Sequence, residues 1–227
     1  MFLRCCLKVK YGYLTFDCYG TLVDWRRGIE NHLGELLKGK GAPSDLSVFP
    51  LYARFESEEE TQYKSYREIL SDTAIKVANY LRLPIAEKDA KAFAASVPFW
   101  PPFGDTMESL AELGERGYKR VILSNVDRDL LNETVSHNSL DIDGYVTAED
   151  VGSYKPTFGH WNRFFEVYKA SRDRTLHVAQ SMYHDIVPCG KLGISTAWIN
   201  RYSEAGLTNV KPTYILSDLR NLLKVLT

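Results

Sequence analysis

The residues able to do chemistry in this chain fall into four short polar stations, each close behind an apolar run or in a loop that follows one. Tyr13-Leu14-Thr15-Phe16 ends in Asp17, and Cys18-Tyr19-Gly20-Thr21 follows, where Gly20 permits a sharp turn. An aspartate delivered into a loop in this way can attack electrophilic carbon or phosphorus. The ester it forms is then cleaved by water, so one difficult substitution becomes two easier ones. Alone, Asp17 reads better as a turn cap. Three further stations change that balance: Ser124-Asn125 after Val121-Ile122-Leu123, Lys155-Pro156 in a loop, and Gln180-Ser181 with Asp185 after Leu176-His177-Val178-Ala179. In a parallel sheet all four converge on one edge, where ligands bind.

The elements that must position these stations are legible from period and composition. Tyr145-Val146-Thr147 and Thr196-Ala197-Trp198-Ile199 add two more buried-strand runs. Helix-length stretches over 106–116, 128–135, 159–169 and 187–192 separate the runs, which predicts an α/β fold with a doubly wound parallel sheet. About a hundred residues with little strand character lie between the first run and Val121, and Ile69, Thr73, Val77 and Leu81 recur there at helical spacing. This predicts a helical cap over 25–100, inserted into a core of 1–24 and 101–227. The cap closes at Phe99-Trp100-Pro101-Pro102-Phe103-Gly104, whose proline pair cannot continue a helix and suits a hinge or return linker.

In order and spacing, Phe16-Asp17-Cys18-Tyr19-Gly20-Thr21-Leu22, Leu123-Ser124-Asn125, Tyr154-Lys155-Pro156 and the stretch from Val178 to Arg201 resemble the four motifs of the haloacid dehalogenase superfamily. Asp17-Cys18-Tyr19-Gly20-Thr21 and Thr196-Ala197-Trp198-Ile199-Asn200-Arg201 resemble, within it, the type II L-2-haloacid dehalogenases. The resemblance implies that Asp17 displaces halide from a substrate α-carbon and that Lys155 keeps the Asp17 carboxylate ionised. It also implies that Thr21, Ser124 and Asn125 donate hydrogen bonds to Asp17 or to the substrate carboxylate. Arg54, in Leu51-Tyr52-Ala53-Arg54, is the candidate for the family's cap arginine, against an ordinary surface role. Phosphatases of the superfamily usually carry a second aspartate two positions after the nucleophile, to protonate a leaving alkoxide. Tyr19 stands there, and halide leaves without a proton.

This sequence departs from the family pattern in places. Ala179-Gln180-Ser181-Met182-Tyr183-His184-Asp185 lacks the serine and asparagine that help place water in the dehalogenases, and Gln180 replaces a phosphatase metal aspartate with a weaker Mg²⁺ ligand. Asp185 then serves as base, water-positioning group or residual metal ligand. Trp161 stands near the place of a family tyrosine. Tyr19, Cys18, Arg54, Gln180, Ser181 and Trp161 are the residues expected to border the substrate, although Cys18 also reads as packing. No cofactor is required on this reading. The alternatives are a Mg²⁺-dependent phosphatase with the metal on Asp17 and Asp185, and a catalytically weak binding protein.

Composition limits the remaining classes. The 227 residues are 44% hydrophobic and 25% charged, with 28 Lys+Arg against 29 Asp+Glu, enough to bury a core and without a field to hold nucleic acid or an anionic membrane. No apolar run approaches the roughly 20 residues of a membrane span, so a cytoplasmic protein acting on a small carboxylate is expected, with a homodimer as the candidate assembly. Cys5, Cys6, Cys18 and Cys189 read as reduced thiols, and Glu58-Glu59-Glu60 as a solvated helix face. His184 ranks second to Asp185 as a proton carrier; His32, His137, His160 and His177 carry no assigned role. If Arg54 is the cap arginine, Arg54→Ala is expected to raise KM for anionic substrates.

Overall fold

Strands β1 (Tyr13–Phe16), β2 (Lys119–Ser124), β3 (Gly144–Thr147), β4 (Thr175–Ala179), β5 (Ser195–Ile199) and β6 (Tyr214–Leu216) form one parallel sheet in the order β3-β2-β1-β4-β5-β6. The computed structural model describes residues 10–207 and 209–226, so Cys5 and Cys6 lie outside the described residues. Five strands match the runs read from sequence. β6 is only three residues long, at the sheet edge with Ile215 exposed, and so brief a run does not stand out as a strand in the sequence.

Alternation along the strands explains the two-sided core. Ile122 packs with Leu14, Phe16, Leu176 and Val178 on one face, together with Leu110, Leu113, Leu130 and Leu131 of the helices Thr106–Glu115 and Arg128–His137. Val121, Leu123 and Val146 face the other way, onto Trp161 and Phe164 of helix Gly159–Tyr168 and Cys189 of helix Val187–Leu192. Each fully buried side chain of this kind contributes about 1.5–3 kcal/mol. Phe16 sits opposite Ile122 of β2 and Val178 of β4, which places Asp17 one step beyond the sheet between its two central neighbours. Strand order reverses at β1, the point at which such sheets open a binding crevice.

Between β1 and β2 the chain builds helices Trp25–Ile29, Phe49–Glu59, Tyr66–Tyr80 and Glu87–Ala94, along with shorter helical turns. Ser65 and Glu68 form a reciprocal capping box at the start of Tyr66–Tyr80, and Ile69, Thr73 and Val77 are buried along one face, as their spacing predicts. The core anchors that helix too: both Asp127 carboxylate oxygens accept from backbone N–H groups of its first turn, those of Tyr66 and Arg67, at 2.9 Å each. No described helix is long and apolar enough to cross a membrane.

The outgoing and returning chain segments are joined. The Asp24 N–H donates to the Pro101 carbonyl at 2.8 Å and the Phe103 N–H to the Leu22 carbonyl at 3.0 Å. Beside this junction the buried Trp100 indole lies directly on Gly28, where a Cβ would come within 2.3 Å of the ring. Gly28→Ala should therefore cost about 1–3 kcal/mol through overpacking, read as a lower denaturant midpoint with unchanged slope. An unaltered midpoint would show that this contact carries no constraint.

Candidate active site

The backbone places Asp17 first. Its N–H donates to the Val178 carbonyl at 3.1 Å, and Gly20 at φ +98° reverses the chain so that the Thr21 hydroxyl donates back to Asp17 Oδ2 at 2.8 Å. Lys155 Nζ meets Asp17 Oδ1 at 2.9 Å, Asp185 Oδ1 at 2.7 Å and the Leu123 carbonyl at 2.9 Å, so its three donors are all used. The Lys155 backbone is clamped by Asn125, which accepts from its N–H at 2.7 Å and donates to its carbonyl at 3.1 Å. Behind Asp185, His177 Nε2 donates to Oδ1 at 2.9 Å and its Nδ1 lies 2.8 Å from the Thr15 hydroxyl.

These charges share one dry site. Burial alone would strip the Lys155 proton, but the Asp17 and Asp185 carboxylates outweigh it and hold its pKa above the ordinary value. Burial would likewise raise Asp185, yet Lys155 and His177 keep it well below the usual carboxylate range. Asp17 is pushed upward, first by burial and further by the charge on Asp185, against the opposing pull of Lys155 and Thr21.

A cavity of about 440 Å³ opens over this cluster, lined by Asp17, Lys155 and Asp185 and bordered by Tyr19, Ser124, Asn125, Gln180, Ser181 and His184. The Tyr19 hydroxyl pairs with Thr134 at 2.8 Å, and burial raises its pKa well above the ordinary tyrosine value. The Gln180 side-chain amide donates to Glu204 at 2.9 Å and the Gln180 carbonyl accepts from the Trp198 indole at 2.8 Å.

The core of the chain, residues 12–186, matches the family described as haloacid dehalogenase-like hydrolase. The chain belongs to that family. A relative in Pseudomonas sp. (strain YL), named (S)-2-haloacid dehalogenase, is 25% identical over 93% of each chain. Haloacetate dehalogenase H-2 of Moraxella sp. (strain B) is 24% identical over 86% of this chain and 88% of its own. The L-2-haloacid dehalogenase structure from Xanthobacter autotrophicus superposes with a TM-score of 0.84 at 19% identity, covering 95% of this chain and 98% of that one, and shows the same fold.

Within this haloacid dehalogenase-like hydrolase three expected site residues are not where the sequence puts them. Arg54 does not enter the cavity: its side chain is 63% exposed and pairs with Glu58 on its own helix, while Ala53 faces the cavity. Trp161 is fully buried behind the site, its ring 5.4 Å from that of His177, and serves as packing. Cys18 is fully buried as well, off the cavity wall, with burial pushing its thiol up and away from nucleophilic use. Asn125 borders the cavity, but both of its polar atoms are spent on the Lys155 backbone rather than on Asp17.

Other residues join the site without having been read there. His177 holds Asp185, and a histidine inside an otherwise apolar buried strand is a signal that could have found it, because such a ring needs a polar partner. His160, held neutral by burial with its pKa lowered to about 3, donates Nε2–H to the Ser124 carbonyl at 3.0 Å and steadies that strand end. Glu60 is not merely solvated: it lines the cavity and pairs with His184 at 3.4 Å. Glu56 lines the cavity too.

The donor set does not fit a divalent cation. Asp185 Oδ2 is buried without a protein partner, one suitable anionic oxygen. Gln180, however, offers only a neutral amide oxygen where a carboxylate would be needed, its Nε2 donating to Glu204, and the Lys155 ammonium lies between the Asp17 and Asp185 carboxylates. No group of three acidic, histidine or cysteine side chains with metal-binding geometry occurs among the described residues.

Two outcomes follow from this geometry. Lys155→Met leaves two buried carboxylates facing each other and should lose about 3–5 kcal/mol of stability together with activity. With their pKa values then raised, the penalty is fully felt at neutral pH and fades as pH falls toward the unfolded aspartate value of about 3.9. Denaturant midpoints from pH 7 down to pH 4 would show whether that recovery occurs. For Arg54→Ala, KM measured on an anionic substrate should stay at the wild-type value, since the guanidinium points to solvent.

Proposed function

We propose that this chain removes halide from a small 2-halocarboxylic acid through an ester on Asp17. The observation that carries the reading is the Lys155 ammonium on Asp17 Oδ1, beside a position where phosphatases keep a proton donor and where this chain has Tyr19 bound to Thr134. An Asp17 oxygen attacks the substrate α-carbon, the carbon–halogen bond breaks, and halide departs with its electron pair. Water then adds at the Asp17 carboxyl carbon, its proton taken by Asp185 Oδ2, which has no other protein partner. Cleavage of the acyl–oxygen bond restores the Asp17 carboxylate, the departing alkoxide takes the proton held by Asp185 and leaves as the 2-hydroxy acid, and the second water proton passes to solvent. Similarity to relatives named as 2-haloacid and haloacetate dehalogenases along nearly their whole length supports this choice of leaving group.

The lysine has a second task in this scheme. When Asp17 becomes an ester its negative charge disappears, and the ammonium remains neutralised by Asp185, so the buried site never holds an uncompensated cation. Thr21 stays within reach of the ester oxygen and holds the group in place for hydrolysis.

Chloride release from L-2-chloropropionate in the presence of EDTA tests the reading. Wild type should release chloride, and Asp17→Asn, in which Lys155 still has Asp185 as its counter-charge, should fold and fall to the uncatalysed level. Chloride release by the Asn variant at the wild-type rate, or phosphate-ester hydrolysis that EDTA abolishes in place of dehalogenation, would overturn it.

A further inference from the structure

The cap wall of the cavity is built by one face of helix Phe49–Glu59 and the residue beyond it: Ala53, Glu56, Ser57 and Glu60, at positions i, i+3, i+4 and i+7. At roughly 100° of rotation per residue, Arg54 is turned off that face. No arginine of this helix is therefore available to a carboxylate in the cavity. Glu56 is the group most deeply placed on this face, at 8% exposure. Its Oε1 accepts from the Tyr66 hydroxyl and, at 3.2 Å, from the Tyr52 hydroxyl, so both tyrosines use the same oxygen and, among the described residues, none donates to Oε2.

The charged groups around Glu56 decide its form. No ion pair to Glu56 occurs among the described residues; Glu60 on its own side adds negative charge, and His184, across the wall, is already paired with Glu60. Arg26, which also lines the cavity, is paired with Glu204 through Nη2, and Lys155 with Asp17 and Asp185. Burial, with Glu60 second, pushes the Glu56 carboxyl up to about 8, so it carries its proton at neutral pH. A protonated carboxyl whose one oxygen is saturated by donors presents its O–H from the other.

We infer that Glu56 is the cap's substrate-contacting residue, donating a hydrogen bond from Oε2 to the carboxylate of the bound small acid in the place an arginine would take. The inference rests on the cavity being a small-acid site. A carboxylic acid facing a carboxylate makes a short charge-assisted hydrogen bond, whereas ionised Glu56 would repel the same ligand. Binding is thereby tied to proton occupancy at Glu56: an acid whose pKa stands above its ordinary value keeps the favourable form below that pKa and loses it as pH rises through about 8.

The test is equilibrium binding of L-lactate, a non-reacting 2-hydroxy acid, by titration calorimetry from pH 6.5 to 9.5. Wild-type Kd should rise about tenfold between pH 7 and pH 9, the fall in the protonated fraction. In Glu56→Gln, which keeps a neutral donor that does not titrate, this rise should vanish, while Ser57→Ala should retain it. Independently of any variant, wild type should take up close to one proton per lactate bound at pH 9, read from the binding enthalpy in buffers of different ionisation enthalpy. The same Kd rise in Glu56→Gln would assign it to His184 and overturn the inference, as would a flat wild-type profile, no proton uptake, or no lactate binding at any pH. Because no turnover is scored, a silent halide assay would sink the dehalogenase reading and leave this result standing.

Discussion

A single buried ammonium organises this molecule. Taking Lys155 out of water costs several kcal/mol, and the cost is offset only because three oxygens meet it at 2.7–2.9 Å: Asp17, Asp185 and the Leu123 carbonyl. Each of these comes from a different strand end. β1 delivers Asp17, β2 ends beside the Leu123 carbonyl, and Asp185 follows β4, so the parallel register of the three central strands is what brings the partners within reach. Much of the rest supports that arrangement. Asn125 holds the lysine backbone, and Thr15 and His177, from neighbouring strands, brace Asp185 from below.

The helical segment between β1 and β2 is fastened close to the same charges. Tyr154, next to Lys155, donates its hydroxyl to the Lys64 carbonyl at 2.6 Å, and Asp127, just past β2, holds the start of helix Tyr66–Tyr80. Across the cavity mouth the Arg26 guanidinium lies 3.6 Å from the Tyr202 ring centroid and 4.7 Å from that of Phe49, while pairing with Glu204. Helices that share no strand with the sheet are thus oriented by polar contacts to loops the sheet positions. The cavity has a hard floor of fixed charge and a wall that belongs to the cap.

How much of this could be read from sequence follows from where each constraint lies. Asp17, Thr21 and Asp185 are legible as polar residues beside apolar runs and Lys155 through the resemblance carried by Tyr154-Lys155-Pro156, while the period of the strands and helices carries the fold. Arg54 did not survive. On a helix, one residue of misalignment is about 100° of rotation, and the apolar pattern of Phe49–Glu59 is too weak to fix which face turns inward. Ala53 took the inward place, and the acids on that face looked like solvent charge. His177 was missed for the opposite reason: its partner Asp185 is only eight residues away in sequence, but beyond the strand end, and nothing in a one-dimensional spacing shows that the chain folds back onto it.

The insertion leaves and re-enters the sheet at a single pinned junction, Asp24 against Pro101 and Leu22 against Phe103. Seen over generations rather than over a catalytic cycle, such a junction separates two kinds of inheritance. Sequence between these points meets the strands through this junction and the contacts of Asp127 and Tyr154, while the residues around Lys155 remain under the constraint of a buried charge balance. New specificities in descendants of this chain would then arise from substitutions on one helical face, with the reactive chemistry passed on unchanged.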